Sequence, residues 1–388
     1  MIDNKIIDKL LDLNCRINLY EEILNILKNH AIKRKYHYVE LETSEGRIPV
    51  IMIAKSLNPD DVKYVKIFLG AQHNEYNGLF GILEFLTMVK TEKISLNEIL
   101  REDQLLIFAP LMNPYGFIHP RTDNKSGYYL KNGSNLNRYW GYVFAPGFLS
   151  EKDNFDDNSV PEHAISFRKL IEKYWIKEDI RIYILDIHET SLLERYLKEL
   201  TNTLYEKSIT YKFSHWLQEG IVYNIIKLNK VPFSRKPLFY KCSPNADHTH
   251  INLSMKQLEQ VTELLLEYTS ANYEKLAFYF CYSNKSKDYC ERLANIVYND
   301  LRKILWDTCF PSFIHNIAKH GCVVQLSDLE IRRDVYSMEL ESEKLFFNIF
   351  NEIEKAKIEN DYISRKTQKF YKSIQLVVTS IKTMIELF

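Results

Sequence analysis

The segment that decides the fold is VKYVKIFLGA (62–71), followed by QHNEYNG (72–78) and LFGILEFLTMV (79–89). The first part is a short apolar run rich in β-branched residues, which is typical of a buried strand. The last part is a longer apolar run that predicts a helix, and the polar part between them is a turn. A strand, a turn and a helix in this order indicate an α/β protein. In such proteins the residues that follow the carboxyl end of a strand are candidates for the functional site.

The rest of the chain continues the alternation of strands and helices. A hairpin is expected within 36–56, and QLLIFAPLM (104–112) predicts a strand that runs into the turn NPYG. RIYILDIH (181–188) predicts another strand, preceded by the helical segment PEHAISFRKLIEKYW (161–175), and CVVQL (322–326) predicts a late one. This order predicts a mixed, mostly parallel central sheet flanked by helices.

Helical spacing of apolar residues near both ends and in the middle predicts the domain organisation. We expect an N-terminal helical extension at 1–35 and an α/β domain at 36–355. That domain is expected to contain a helical insertion at about 190–310, and a C-terminal helical extension is expected at 356–388.

Composition restricts the classes of partner. The 388 residues are 46% hydrophobic, and 51 Lys and Arg balance 51 Asp and Glu, which argues against binding to nucleic acid or to an anionic membrane surface. The sequence contains no run of about 18 apolar residues, so we expect no membrane span. Its N-terminus has no basic region followed by an apolar run, so we expect no secretory signal. Six cysteines without a C-x-x-C pair fit reduced thiols. We therefore expect a cytoplasmic protein that acts on a peptide or a small molecule.

Two strand ends carry residue types that bind metals. The candidates are Gln72, His73 and Glu75 after the first strand and Asp186, His188 and Glu189 at the end of the third. A catalytic zinc ion takes three protein ligands from such groups and keeps one position for water. Between these ends lie NPYGF (113–117), Arg121 and SNLNRYW (134–140). Arginines there could bind a substrate carboxylate or stabilise an oxyanion.

The order of these motifs resembles the zinc carboxypeptidase (funnelin) superfamily, which also contains enzymes of the aspartoacylase and succinylglutamate desuccinylase type. The resemblance covers about 62–190, with a weaker match at 318–330. It implies a zinc-dependent hydrolase that cleaves an amide bond next to a free carboxylate. The implied substrates are short peptides or N-acyl amino acids, and the oligomeric state stays open.

The resemblance also implies the metal ligands. Gly78 follows Glu75 by three residues, as in the first zinc motif of the superfamily, so Gln72 rather than His73 takes the first ligand position. The implied set is Gln72, Glu75 and His188, which is similar to the site of cell-wall D,L-carboxypeptidases. This set is harder than the usual two-histidine site, so manganese or cobalt would suit it as well as zinc.

The remaining roles follow from the same resemblance. Arg121 matches the arginine that polarises the scissile carbonyl, and Asn137 with Arg138 matches the pair that binds the terminal carboxylate of the substrate.

The resemblance also implies a general base, a glutamate near the end of a late strand, that takes a proton from the attacking water. There, in GCVVQLSDLE (321–330), the expected glutamate is replaced by Gln325. Glu330, Asp328 or Glu189 are the alternatives for the base. A second hypothesis is a catalytically impaired protein that only binds a carboxylate-bearing molecule.

Overall fold

The computed structural model describes most of the chain. The described residues are 9–10, 12–72, 74–120, 129–144, 160–177, 179–190, 210–213, 249–252, 274–282, 284–307, 334–344 and 360–387, with single residues at 256, 259, 263 and 323. Within them, no helix combines the length and the hydrophobicity that crossing a membrane requires.

An eight-stranded mixed sheet forms the centre of the fold. Its strands are β1 (His37–Thr43), β2 (Gly46–Ala54), β3 (Tyr64–Leu69), β4 (Gln104–Ala109), β5 (Arg181–Thr190), β8 (Leu276–Tyr282), β9 (Leu305–Asp307) and β10 (Val335–Glu343). They lie in the order β1-β2-β4-β3-β5-β10-β8-β9, and β4, β3, β5 and β10 run parallel to one another. Two further strands, β6 (Thr210–Phe213) and β7 (Thr249–Asn252), form a separate antiparallel pair. The predicted mixed, mostly parallel sheet is therefore confirmed.

Helices cover both faces of the sheet. They are α1 (Arg16–Arg34), α2 (Asn77–Lys90), α3 (Leu96–Ile99), α4 (Pro114–Ile118), α5 (Trp140–Phe144), α6 (Glu162–Trp175), α7 (Lys287–Leu301) and α8 (Asn360–Leu387). Apolar side chains of α1, α2, α7 and α8 form one core with one face of the sheet. Apolar side chains of α5 and α6 form a second core with the other face.

Several predicted elements are confirmed, and one region needs correction. The predicted hairpin is β1 and β2, and the first strand, turn and helix are β3, the turn after it and α2. Part of the expected helical insertion at 190–310 is wrong, because β8 and β9 lie in the central sheet. LAFYFCY (276–282) is a short apolar run, the type of segment that forms a buried strand between two others.

The late part of the sheet was also predicted incompletely. Of the predicted strand at 322–326, only Val323 lies within the described residues. The strand that pairs with β5 is β10, which the sequence analysis did not predict.

The C-terminal helix α8 belongs to the core rather than to the periphery. Eight of its apolar residues are buried in the core that α1, α2 and α7 share. Gly81 of α2 faces Val377 of α8 so closely that an added Cβ would lie 2.3 Å from a methyl group of that valine. The buried Lys66 of β3 donates hydrogen bonds of 2.8 Å to the carbonyl groups of Met384 and Ile385.

Replacing Gly81 by alanine tests the contact between α2 and α8. We expect Gly81→Ala to lower the free energy of unfolding by about 1–3 kcal/mol, because the added methyl group overpacks the interface. Urea denaturation measures the change. In the double variant Gly81→Ala/Val377→Ala the clash is removed, so the loss should be smaller than the sum of the two single losses. Additive losses would contradict the close contact.

The buried amine of Lys66 predicts a pH dependence of stability. Burial, with a smaller effect of the Arg101 charge, lowers the pKa of Lys66 to about 7 from 10.5. Between these two values the unfolded chain binds the proton that the folded protein has lost, so stability should rise with pH. Between pH 7 and 10, urea denaturation should show that the free energy of unfolding of the wild type rises relative to that of Lys66→Met. A constant difference between the two proteins over this range would refute the shift.

Candidate metal centre

The turn after β3 is pressed against β5 by two glycines. An added Cβ on Gly78 would lie 3.0 Å from the Cα of Gly70 and 3.1 Å from the Cβ of Ile187 on β5. Ala71 has a φ of 43°, a left-handed conformation that costs energy for a residue with a side chain. Only glycine at position 78 lets the turn approach this closely, which brings Glu75 next to the end of β5.

A buried carboxylate joins the turn to β5. Glu189 accepts hydrogen bonds from the backbone N–H groups of Tyr76 (2.9 Å) and Asn77 (2.7 Å), where α2 begins. An anion is favourable at the start of a helix because unpaired N–H groups and the helix dipole meet there. Burial raises the pKa of Glu189 to about 7, although the charge of Lys344 and the two N–H groups oppose the rise.

Glu189 had been one of the alternatives for the general base. Successive residues of a strand point to opposite faces, so Glu189 lies on the face opposite to that of His188. Its contacts with the turn favour a structural role.

His188 lies between two carboxylates. Its Nδ1 is 2.8 Å from Glu75 Oε2, and its Nε2 is 2.8 Å from Asp186 Oδ2. The second contact is short but lacks the angles of a hydrogen bond. All three side chains are buried. Burial disfavours the imidazolium, but Asp186 and Glu75 outweigh it and raise the pKa of His188 well above its usual value.

Gln72 lies beside this pair and is fixed at both ends of its amide. Its nitrogen donates a short hydrogen bond to Asp186 Oδ1, and its oxygen accepts one of 2.7 Å from the indole Nε1 of Trp140. These two contacts determine which end of the amide carries the oxygen. An amide oxygen has a second lone pair, so the contact with Trp140 leaves capacity for a metal.

Strand β10 adds two acids to the same face of the sheet. Glu339 is opposite Asp186 in the register of β10 and β5, and Glu341 is opposite His188. One ligand atom each of Asp186, His188 and Glu339 lie within 4.8 Å of one another. The sequence analysis missed both glutamates. The alternation of VYSMELESE (335–343) would have revealed the strand, with the two acids on its polar side.

The centre has more buried negative groups than positive ones. Glu75, Asp186, Glu189, Glu339 and Glu341 supply carboxylates. The cations near them within the described residues are His188, Lys344 and Arg138.

Four oxygens of these acids are buried and accept no hydrogen bond from any described residue: Asp186 Oδ2, Glu189 Oε2, Glu339 Oε1 and Glu341 Oε2. All but that of Glu189 lie on the face of the sheet that carries His188. Burial and the charges of neighbouring acids, opposed by the charge of His188, raise the pKa of Glu339 to about 7 and that of Glu341 well above its usual value. A buried carboxylate oxygen without a hydrogen bond is costly, and a divalent cation would remove this cost. The residues therefore fit a metal ion.

The predicted carboxylate-binding pair lies beside the acids. Asn137 and Arg138 are in a 3-10 turn that Asn135 caps through a hydrogen bond of 2.9 Å to the N–H of Asn137. The side chain of Asn137 hydrogen-bonds to Glu339, and the charge of Arg138 also acts on that carboxylate. The structure thus brings Gln72, Glu75, His188, Asn137 and Arg138 to one region of the fold. Arg121, Gln325, Glu330 and the alternatives His73 and Asp328 lie outside the described residues.

Comparison with solved structures found metallo-carboxypeptidases. A metallo-carboxypeptidase from Burkholderia cenocepacia is 12% identical, with 93% of this chain and 66% of that chain covered and a TM-score of 0.47. Carboxypeptidase A from Helicoverpa armigera is 12% identical, with coverages of 92% and 71% and a TM-score of 0.46. Bovine thrombin-activatable fibrinolysis inhibitor, solved in complex with tick carboxypeptidase inhibitor, is 12% identical, with coverages of 94% and 96% and a TM-score of 0.45.

These proteins are of the kind that the sequence motifs resemble. At 12% identity and with TM-scores below 0.5, the likenesses say nothing about the activity of this chain. The sequence matches no protein-family model and no curated protein.

A double-mutant cycle tests the contact between Trp140 and Gln72. Trp140→Phe removes the donor for a buried oxygen, so we expect a loss of about 1–3 kcal/mol in the free energy of unfolding. Combining it with Gln72→Leu, which removes the acceptor, should reveal a coupling of about 0.5–3 kcal/mol. Urea denaturation with a chelator present keeps metal binding out of the measurement. Zero coupling would mean that the two side chains do not interact in solution.

Proposed function

We propose that this chain is a metal-dependent hydrolase that cleaves an amide bond next to a free carboxylate. The observation that carries the proposal is the buried excess of carboxylates around His188, with oxygens on Asp186, Glu339 and Glu341 that accept no hydrogen bond within the described residues. A fold does not need this arrangement for its stability, because an excess of buried carboxylates over nearby cations destabilises the folded state. A bound cation would neutralise this excess of negative charge.

We propose Gln72, Glu75 and His188 as the metal ligands, with zinc as the metal. The 2.8 Å contact between Glu75 Oε2 and His188 Nδ1 supports this set, because it places two candidate ligand atoms side by side. Asp186 then faces the other ring nitrogen of His188, which is the usual partner of a metal-binding imidazole. Asp186 also accepts from the Gln72 amide, so one carboxylate would orient two ligands.

A second ligand set shares His188 and is favoured by a different observation. Asp186, His188 and Glu339 have ligand atoms within 4.8 Å of one another, and two of these oxygens accept no hydrogen bond within the described residues. In this set Nε2 would be the ligand atom of His188, and Glu75 would orient the imidazole through Nδ1. Glu339 would then be a ligand instead of a base.

In the first ligand set (Gln72, Glu75 and His188), which we favour, Glu339 is the general base. Its carboxylate lies on the same face of the sheet as His188, and it takes a proton from the attacking water and passes it to the leaving amine. When bound, the metal supplies a water of lowered pKa and polarises the carbonyl group of the substrate. Asn137 binds Glu339 and holds it in place. A carboxylate at this position removes the need for Gln325 as the base.

The specificity for a free carboxylate is assigned to Arg138 with Asn137. Arg138 acts on Glu339 through its charge, so it lies within electrostatic reach of the reacting groups. A guanidinium binds a carboxylate through two parallel hydrogen bonds. Arg121 stays a prediction for the polarisation of the carbonyl, as does the cytoplasmic location. The binding protein without catalysis is less favoured, because Glu339 provides a buried base.

Metal content decides between these possibilities. We expect about one zinc ion per chain by elemental analysis after exhaustive dialysis, and its loss in His188→Ala. In the favoured set Glu75→Gln and Gln72→Ala also lose the metal. Glu339→Gln keeps it but loses about 10²–10⁴-fold in kcat, because the proton acceptor is gone.

Loss of metal in Glu339→Gln but not in Gln72→Ala would establish the second ligand set. A wild-type protein that binds no zinc, manganese or cobalt when these are added back would refute the hydrolase.

Substrate pairs test the specificity. N-acyl amino acids and short peptides with a free carboxyl terminus should be cleaved, whereas the same compounds with an amidated terminus should not. Arg138→Ala should raise KM for the free acids. Equal cleavage of acids and amides would contradict the role of Arg138.

A further inference from the structure

A buried arginine of the N-terminal helix α1 reaches the turn that carries Glu75. Arg16 is the first residue of α1, and its side chain is completely buried. Its Nη2 donates a hydrogen bond of 3.2 Å to the hydroxyl of Tyr76, and its Nη1 donates one of 3.2 Å to the carbonyl of Phe117. Tyr76 directly follows Glu75. The N-terminal helix therefore touches a neighbour of a proposed metal ligand.

Arg16 is also held by aromatic rings. Its guanidinium carbon lies 5.0 Å from the centre of the Tyr76 ring and 5.2 Å from that of the Phe117 ring. The two rings meet edge to face at 6.1 Å. The planar guanidinium suits this slot because it can stack on rings while it donates in its own plane. A lysine ammonium is a point charge and cannot do both.

Burying this charge has a cost that packing alone does not require. A methionine of similar length would fill the space without desolvating a cation. The two hydrogen bonds connect α1 to two other segments. One is the turn after β3, which carries Tyr76, and the other is the short helix α4 after β4, which carries Phe117.

The hydrogen bond from Arg16 to Tyr76 adds to other contacts that hold the turn after β3. Glu189 holds the backbone of Tyr76, and Lys344 donates a hydrogen bond of 2.7 Å to Asn74. Glu75 therefore lies between Asn74 and Tyr76. Contacts from α1, from β5 and from the residue after β10 hold these two neighbours in place. Of these contacts, the one from Arg16 holds the side chain of Tyr76.

We propose that Arg16 is a positioning residue of the metal centre, acting through Tyr76 on Glu75, so that α1 is part of the functional site. The inference rests on the proposed role of Glu75 as a ligand. It deepens that proposal by assigning a function to a helix that the sequence analysis treated as an extension.

Metal affinity, measured by competition with a chelator, tests the proposal. Arg16→Lys keeps the charge but loses the two-point contact, and Tyr76→Phe removes only the hydroxyl that Arg16 binds. We expect each variant to bind zinc about 10–100-fold more weakly, as is typical when a supporting contact of a ligand is lost. The double variant should be no weaker than the weaker single variant, because both changes break one link.

Tyr20→Phe is the matched control. Tyr20 also belongs to α1, and its hydroxyl binds the backbone of Arg47 on β2 without touching the turn. This variant should lower the melting temperature and leave zinc affinity within about twofold of the wild type. If Arg16 served only to attach α1, Tyr20→Phe would weaken zinc binding as much as Arg16→Lys.

The outcomes separate the two proposals. A wild type that binds zinc together with an Arg16→Lys variant of unchanged affinity would overturn the positioning role and leave the hydrolase standing. Equal losses in Arg16→Lys and Tyr20→Phe would overturn it as well. A wild type without metal would refute the hydrolase and the positioning role together.

Discussion

The arrangement of the centre depends on the two hydrogen bonds between Glu189 and the first backbone amides of α2. Glu189 follows His188 in β5, and the amide of Tyr76 follows Glu75 in the turn. Because Glu189 is bound to the amide of Tyr76, their neighbours His188 and Glu75 are brought together on the opposite face of the sheet. The close packing of Gly70 against Gly78 permits this approach. A single buried carboxylate thus links the local geometry of two strand ends to the contact between Glu75 and His188.

Much of the fold and part of the candidate metal centre could be predicted from the sequence, because the periodicity of apolar residues indicates which segments are buried. The unit of β3, its turn and α2 is evident from the apolar runs on either side of QHNEYNG. His188 and Glu75 could be found because they follow such runs and because parallel strands end at one edge of the sheet. The same reasoning found Gln72 as a candidate, whereas Asn137 and Arg138 were assigned from the resemblance to zinc carboxypeptidases. The roles of all three stay predictions.

The residues that were missed are charged residues inside the fold. Glu339 and Glu341 lie on the polar side of the alternating segment β10, and alternation reveals the strand but not that this side is buried against β5. Arg16 in an amphipathic helix looks like a solvent-exposed residue, and only the tertiary packing of α1 on the turn reveals its burial. Periodicity cannot identify a buried charge, because the stabilising partners come from distant parts of the chain. The missed residues therefore cluster where the structure suggests chemistry.

The contact of Lys66 with the last turn of α8 has a consequence for the order in which the protein can fold. Lys66 lies in β3, at the centre of the sheet, and its partners are more than 300 residues later in the chain. During synthesis β3 is available long before Met384 and Ile385 have left the ribosome. Until then its amine has no helix end to bind, and the sheet face that α8 covers stays open to water. Completion of the core is thus a late event, and a nascent chain stalled before these residues would expose the surface that chaperones bind.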